Sequence, residues 1–413
     1  MALARPARAL SRRLFLRGAS GAAVGLLLPD QSAASERSRA VLVCLNLVGG
    51  LDGLSVLVPY AEDAYYRSRP RTSVPPPGAS GGALPLADGF GLHPSLASLY
   101  SLYLEQRLVI VPAAGGAQFN RSHFAAREAL HVGHAASSNS TDQDGWANRY
   151  AQLRGETSAA GVSLFSASAD LPRAFAGTAP AETAAGRRAL SLSEGSAAYV
   201  EALHRLYRGA NDPFARAAEG ALRFAAEARE KTQAVRLSGH YDSRGHGLRD
   251  AARLIRGDVG AEIIWVDVGG FDTHKSQGGT RGRLAGSLTQ LAQNLAAFRQ
   301  DLGRSFADVT LVTLTEFGRT LRENGSGGTD HGSASCMLVL GGRVNGGRLA
   351  GSWPGLEQSA LRDGRELAVT TDYRVVLADL LSSHLAVNPA GLARVFPDLD
   401  ASQYQPLGLC ARP

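Results

Sequence analysis

EIIWVDVGGFDTHKSQGG, residues 262–279, is the stretch on which the fold turns. Its first seven residues form an apolar-rich run of strand length without strict alternation, as in a strand buried on both faces of a parallel sheet. Two glycines end the run, and Asp272 and His274 follow at once. Downstream, Leu284, Leu288, Leu291, Leu295, Phe298 and Leu302 step by four and three, which predicts a helix with one apolar stripe. The next apolar run, DVTLVTLT (308–315), leads into Glu316. A Gly-rich loop, GTDHG (328–332), then carries Asp330 and His331 just before a third run, CMLVL (336–340). Strand, helix and strand in this order imply a right-handed parallel crossover.

Upstream, AVLVCLNL (40–47) and RLVIVPAAGG (107–116) read as further buried strands. Asp52 lies in the tight Gly50-Leu51-Asp52-Gly53 turn after the first of them. Ser122 stands where an N-cap belongs, before the helical pattern FAAREALHVG (124–133). A last helix is expected from Thr371 to about Leu385. Residues 155–256 read as a mainly helical insertion or cover. The expected fold class is α/β: a doubly wound, mostly parallel sheet within a single domain, 35–413.

The chain has 43 basic and 37 acidic residues, a net charge of +6. Five arginines against Asp30 alone stand in residues 1–34, so the remainder carries a net of only +2. No basic run with interleaved aromatics follows, which argues against nucleic acid as a partner. Ser11-Arg12-Arg13-Leu14-Phe15-Leu16-Arg17 matches the twin-arginine export pattern, with a modest apolar run and small residues at Ser32-Ala33-Ala34 behind it. Residues 1–34 are therefore expected to be a signal peptide read by the twin-arginine (Tat) translocase. The destination is the periplasm or beyond, and no integral membrane span is expected in the mature chain. Cys44, Cys336 and Cys410 lack zinc-cluster spacing. They read as buried thiols, with one disulfide through Cys410 as the alternative.

Asp52, Asp272, His274, Glu316, Asp330 and His331 all lie at Gly-flanked ends of apolar runs, where an open α/β sheet builds its site. Singly, each reads as well as a helix cap or a loop-backbone partner. Together, oxygen and nitrogen donors on successive loops are what a divalent metal needs. The reading requires Asp52, Asp272, His274 and His331 to converge within several ångströms. Ser122 is either a nucleophile or a helix cap. His123 is a ligand or an anion contact. Arg319 is a bidentate partner for a phosphate or sulfate oxygen, or a salt bridge to Glu316 or Glu323. His131 and His134 read as exposed histidines at a helix end.

In order along the chain, NLVGGLDGLSVLVPY, NRSHFAARE, DGWANRY, GGFDTH, LTEFGRT and GTDHGSAS resemble the exported family called domain of unknown function 1501. That family is itself similar to the alkaline phosphatase and sulfatase superfamily. The resemblance implies an alkaline phosphatase-like sheet with one or two divalent ions at the strand ends. Zinc comes first, with manganese, calcium or magnesium as alternatives. It also implies hydrolysis of a phosphate or sulfate ester by an attacking residue at a helix N-terminus, for which Ser122 is best placed. The superfamily's Asp-His pair is replaced at Glu316, and the Cys-x-Pro-x-Arg pattern of true sulfatases is absent. The alternative is a non-catalytic binding or assembly protein of the cell envelope that keeps the fold.

Overall fold

Apolar runs without alternation have to be covered on both faces, and the chain covers them with helices. The computed structural model describes residues 40–116, 120–134, 144–157, 163–168, 170–183, 201, 205–207, 222, 226–399 and 404–411. The twin-arginine stretch lies outside the described residues, as do 158–162, 169, 184–200, 202–204, 208–221 and 223–225 of the expected 155–256 helical cover. Its described part is not all helical: Ser163–Ser166 and Ala181–Thr183 are strands of the main sheet, while helical residues 226–232 and a well-formed helix, His246–Arg256, lie toward its C-terminal end.

The elements that build the site are, in order, β1 (Val41–Val48), β2 (Leu108–Gly115), α1 (His123–Val132), α2 (Trp146–Thr157), β3 (Ser163–Ser166) and β4 (Ala181–Thr183). Then come α3 (His246–Arg256), β5 (Ala261–Gly269), α4 (Arg283–Leu302), β6 (Val309–Leu314), β7 (Arg319–Glu323), β8 (Thr329–His331), β9 (Ser335–Gly341) and α5 (Tyr373–Ser383). Among the described residues the main sheet has nine strands. Its order is β2-β9-β6-β1-β5-β3-β4, with Arg348–Leu349 and Thr371–Asp372 both pairing β2.

The sheet is mixed and mostly parallel. β1 pairs in parallel with β5 on one side and β6 on the other, so the β5-α4-β6 crossover passes over β1. β9 runs antiparallel to both β6 and β2. That reversal matters for function. It brings the N-terminal end of β9, and the loop before it, to the edge where β1, β5 and β6 end. Asp330 and His331, which precede a strand in sequence, thus meet residues that follow strands.

Alternation along β1 assigns the two cores. Val41, Val43, Leu45 and Leu47 pack on the face covered by α3 and α4. Leu42 and Cys44 pack on the face covered by α1, α2 and α5. Full burial of each such aliphatic side chain is worth about 1.5–3 kcal/mol, so the centre of the sheet is a rigid base for the loops at its edge. Cys44, Cys336 and Cys410 are all buried and unpaired, so the disulfide alternative through Cys410 is not formed. Among the described residues, no helix is long and apolar enough to cross a membrane.

Candidate metal centre

Three histidines meet one carboxylate at this edge. His123 opens α1, Asp272 and His274 follow β5, and His331 ends β8. One ligand atom from each of His123, Asp272 and His331 lies within 4.8 Å of the other two. His123 Nε2 is 3.8 Å from Asp272 Oδ2, and His331 Nε2 is 3.6 Å from Asp272 Oδ1. His274 Nε2 lies 3.1 Å from Asp272 Oδ1 and 2.9 Å from His331 Nε2.

Each histidine has its other nitrogen against an acceptor. His123 Nδ1 is 2.9 Å from Glu316 Oε1, His331 Nδ1 is 2.9 Å from the carbonyl of Arg121, and His274 Nδ1 is 3.4 Å from Asp330 Oδ1. A carbonyl or carboxylate can only accept, so Nδ1 of His123 and of His331 donates, and each ring in its neutral form leaves an Nε2 lone pair toward the centre. His274 instead has a carboxylate oxygen near each nitrogen, Asp330 at Nδ1 and Asp272 at Nε2. The Nε2 atoms of His274 and His331, 2.9 Å apart, need a proton or a cation between them. Imidazoles oriented by acceptors behind them and aimed at a shared carboxylate are the donor set of a metal site. The residues present therefore fit a divalent ion.

The supports are built as tightly as the ligands. Arg319 is buried, and its guanidinium donates to Asp272 Oδ1 at 2.6 Å, to the carbonyls of Gly50 and Thr329 at 2.8 and 3.0 Å, and to that of Gly49. Glu316 Oε1 accepts from the Gly49 N–H at 2.9 Å as well as from His123. Gly49 has φ +122°, and a Cβ there would sit 2.4 Å from the Asp272 nitrogen, so the β1 and β5 loops can touch only at glycine. The buried ring of Phe317 packs on His123 and His331, with centroids 4.9 and 4.5 Å away.

Charge follows this geometry. Burial opposes ionisation of Asp272, but the Arg319 hydrogen bond and charge, with His274 and His123, hold its carboxyl below the usual range. Asp330 is lowered by its hydrogen bond from Asn324 and by His274, against partial burial. Burial lowers His331, opposed by its bond to the Arg121 carbonyl.

The expected residues sort themselves. Asp272, His274 and His331 converge but Asp52 does not, so the four-residue convergence expected from the sequence is not met as stated, and His123 completes the cluster instead. Asp52 lies apart. Its carboxylate takes both terminal nitrogens of buried Arg69 at 2.6 and 2.9 Å, the Ser55 hydroxyl at 2.8 Å and the Gln277 amide at 2.6 Å, so protein donors occupy both oxygens. Glu316 and Asp330 stand behind His123 and His274 as their partners. Arg319 holds Asp272 and backbone carbonyls, and bridges to neither Glu316 nor Glu323. Ser122 is at the N-cap position, exposed, and its side chain makes no capping bond. His131 and His134 are buried, not exposed: His131 packs edge-on against Trp265, and His134 Nδ1 meets Asp398 at 2.7 Å. Phe317 and Arg127 were not singled out in the sequence. Arg127 had a signal, since it lies one turn after His123 on the same helix face.

The family model described as "Protein of unknown function (DUF1501)" matches residues 39–378. No curated protein matches the chain. Among solved structures, the C-terminal periplasmic domain of EcEptC from Escherichia coli, in complex with Zn, is 7% identical, with 73% of each chain covered and a TM-score of 0.37. Ps i-CgsB in complex with k-i-k-neocarrahexaose is 10% identical, covering 85% of this chain and 74% of that one, with a TM-score of 0.37. Likeness at this level bears on neither ligand nor chemistry.

Proposed function

The chain belongs to the DUF1501 family, and we propose that it is an exported, metal-dependent hydrolase of a phosphate or sulfate ester with an alkaline phosphatase-like site. One observation carries this reading: the Nε2 atoms of three acceptor-backed histidines turn toward the Asp272 carboxylate at the open edge of the sheet. His123, Asp272, His274 and His331 would hold the ion. Three imidazoles and one carboxylate suit zinc better than magnesium or calcium, which prefer oxygen. When bound, the ion supplies charge for the ester's non-bridging oxygens and acidifies a coordinated water or hydroxyl.

The chain's own residues do the rest. Ser122 is flanked by two residues tied to the centre, His123 by its ring and Arg121 by its carbonyl. Its hydroxyl, not used for capping, is the candidate nucleophile at the head of α1. Arg127 takes the anion-binding role that Arg319 cannot. Its guanidinium is 3.8 Å from Glu316 Oε1, the oxygen that also holds His123, and its side chain is 42% exposed. Among the described residues it makes no hydrogen bond, and with Nε buried its terminal nitrogens are what it offers a tetrahedral oxyanion.

The test is metal analysis of the purified chain together with assays on phosphate mono- and diesters and sulfate esters. The expected result is one zinc per chain and turnover that His331→Ala abolishes together with the zinc. Ser122→Ala should keep the zinc and lose turnover, and Arg127→Ala should raise KM more than it lowers kcat. Absence of zinc from the wild type overturns the reading. Zinc without turnover of any ester would favour the non-catalytic envelope role.

A further inference from the structure

The buried polar cluster around Asp52 belongs neither to the ligand set nor to the core, and burying it is expensive unless every member is satisfied. It is satisfied. Arg69 Nε donates to the carbonyl of Leu321 at 2.8 Å and Nη2 to that of Thr320 at 2.9 Å, while its two terminal nitrogens clasp Asp52. Asp52 accepts the Gln277 amide at 2.6 Å. The Gln277 carbonyl oxygen in turn accepts two hydroxyls, Thr273 at 2.8 Å and Thr329 at 2.7 Å. All six of Asp52, Arg69, Thr273, Gln277, Thr320 and Thr329 are buried.

The two threonines give the cluster its meaning. Thr273 stands between Asp272 and His274. Thr329 opens β8, whose last residue is His331. A single amide oxygen therefore ties together the two loops whose imidazoles meet 2.9 Å apart. The backbone follows the same seam: Thr329 N–H donates to the Thr273 carbonyl at 3.3 Å and Gln277 N–H to the Gly327 carbonyl at 2.9 Å. Asp52 and Arg69 fix which way the amide faces. Held by a carboxylate on its NH2 side, Gln277 can present only its oxygen to the threonines.

We propose that Gln277 is a positioning residue for the metal centre, with its amide locked by the Asp52–Arg69 pair, and that it sets the separation of His274 and His331. It touches no ligand atom and acts through Thr273 and Thr329. This inference rests on the metal-centre reading.

The test compares Gln277→Ala, Thr329→Val and Thr329→Ser in the full chain. Zinc affinity is measured by chelator competition, the visible absorption of the cobalt-substituted protein reports ligand geometry, and melting of the metal-free protein monitors the fold. Gln277→Ala and Thr329→Val are expected to weaken zinc by about tenfold or more and to change the cobalt spectrum. Thr329→Ser, which keeps the hydroxyl, is expected to retain both. Should Gln277→Ala fail to fold, Thr329→Val decides. A folded Thr329→Val with wild-type zinc affinity and spectrum overturns the inference and leaves the metal centre standing. A wild type that binds no zinc removes both.

Discussion

Asp52 and Asp272 each follow a strand of the same sheet, and each is held by a buried arginine at 2.6 Å, yet they do opposite work. The Asp52 side chain is 1% exposed and that of Asp272 is 48% exposed. Around Asp52 every donor comes from protein, so the pair closes on itself and ties loops together. At Asp272, Arg319 takes one oxygen and the histidines converge from the open side. An acid at a strand end is thus a poor guide to a ligand until the number of protein donors already on it is known. Exposure and spent valence separate the two sites, not the residue types.

The sharpest way to break this contrast is to make the same isosteric change at both. Asp52→Asn leaves the Arg69 charge buried without its counter-ion, and losing one partner of a buried pair costs about 3–5 kcal/mol. Asp272→Asn also takes the carboxylate from a buried arginine, but Arg319 keeps four carbonyl acceptors against two for Arg69, and the lost charge lies at a half-exposed position that solvent screens. In the metal-free protein it should cost no more than about 1 kcal/mol while abolishing zinc binding. Urea denaturation and zinc analysis of the two variants check this. Equal losses of stability would erase the distinction.

The histidines repeat the contrast between sealed and open. Burial pushes His131 down to about 4 and His384 down to about 4, in each case as the largest influence. His384 sits in the core, with Nε2 3.1 Å from the carbonyl of Val41. The sign follows from which state takes the proton first. The unfolded chain binds it near 6.5 and the folded chain only near 4. Stability is therefore full above pH 6.5, falls as the pH drops toward 4, and levels off below. The loss is roughly 3 kcal/mol per histidine. Urea midpoints measured in chelator should fall over this window, and His384→Gln should flatten part of the decline. A midpoint that does not move between those pH values would show that the two rings are not sealed.

Much of this was legible in the chain. The apolar runs at 40–47, 262–268 and 308–315 lacked alternation, and they became the parallel centre of the sheet because both faces are covered. The stripe from Leu284 to Leu302 became α4. The centre itself was located by Asp272, His274 and His331, since glycines mark where the backbone leaves the sheet. What could not be read was direction and partnership. Nothing in CMLVL says that β9 runs antiparallel, although this alone brings His331 to the edge. Nothing in GLDG says that Arg69, seventeen positions on, consumes Asp52. Pairing through space decides which acid is free, and a single sequence does not record it.

Glu316 gives the smallest and most discriminating test. It sits among closed contacts, with the Gly49 N–H and the Thr315 hydroxyl on its oxygens, yet through His123 it reaches the open centre. Replacement by Gln keeps Oε1 as acceptor for Gly49 and His123 and turns an NH2 toward Thr315 Oγ1, so the fold should be indifferent. What is lost is charge behind His123, and with it part of the ring's basicity toward an ion. Glu316→Gln is therefore expected to weaken zinc by about tenfold with little change in metal-free stability, read by chelator competition and urea melts. If zinc affinity is untouched, His123 is not a ligand, and the open site shrinks to Asp272, His274 and His331. If stability falls instead, Glu316 belongs with Asp52 on the sealed side, and the line between the two regions runs through His123.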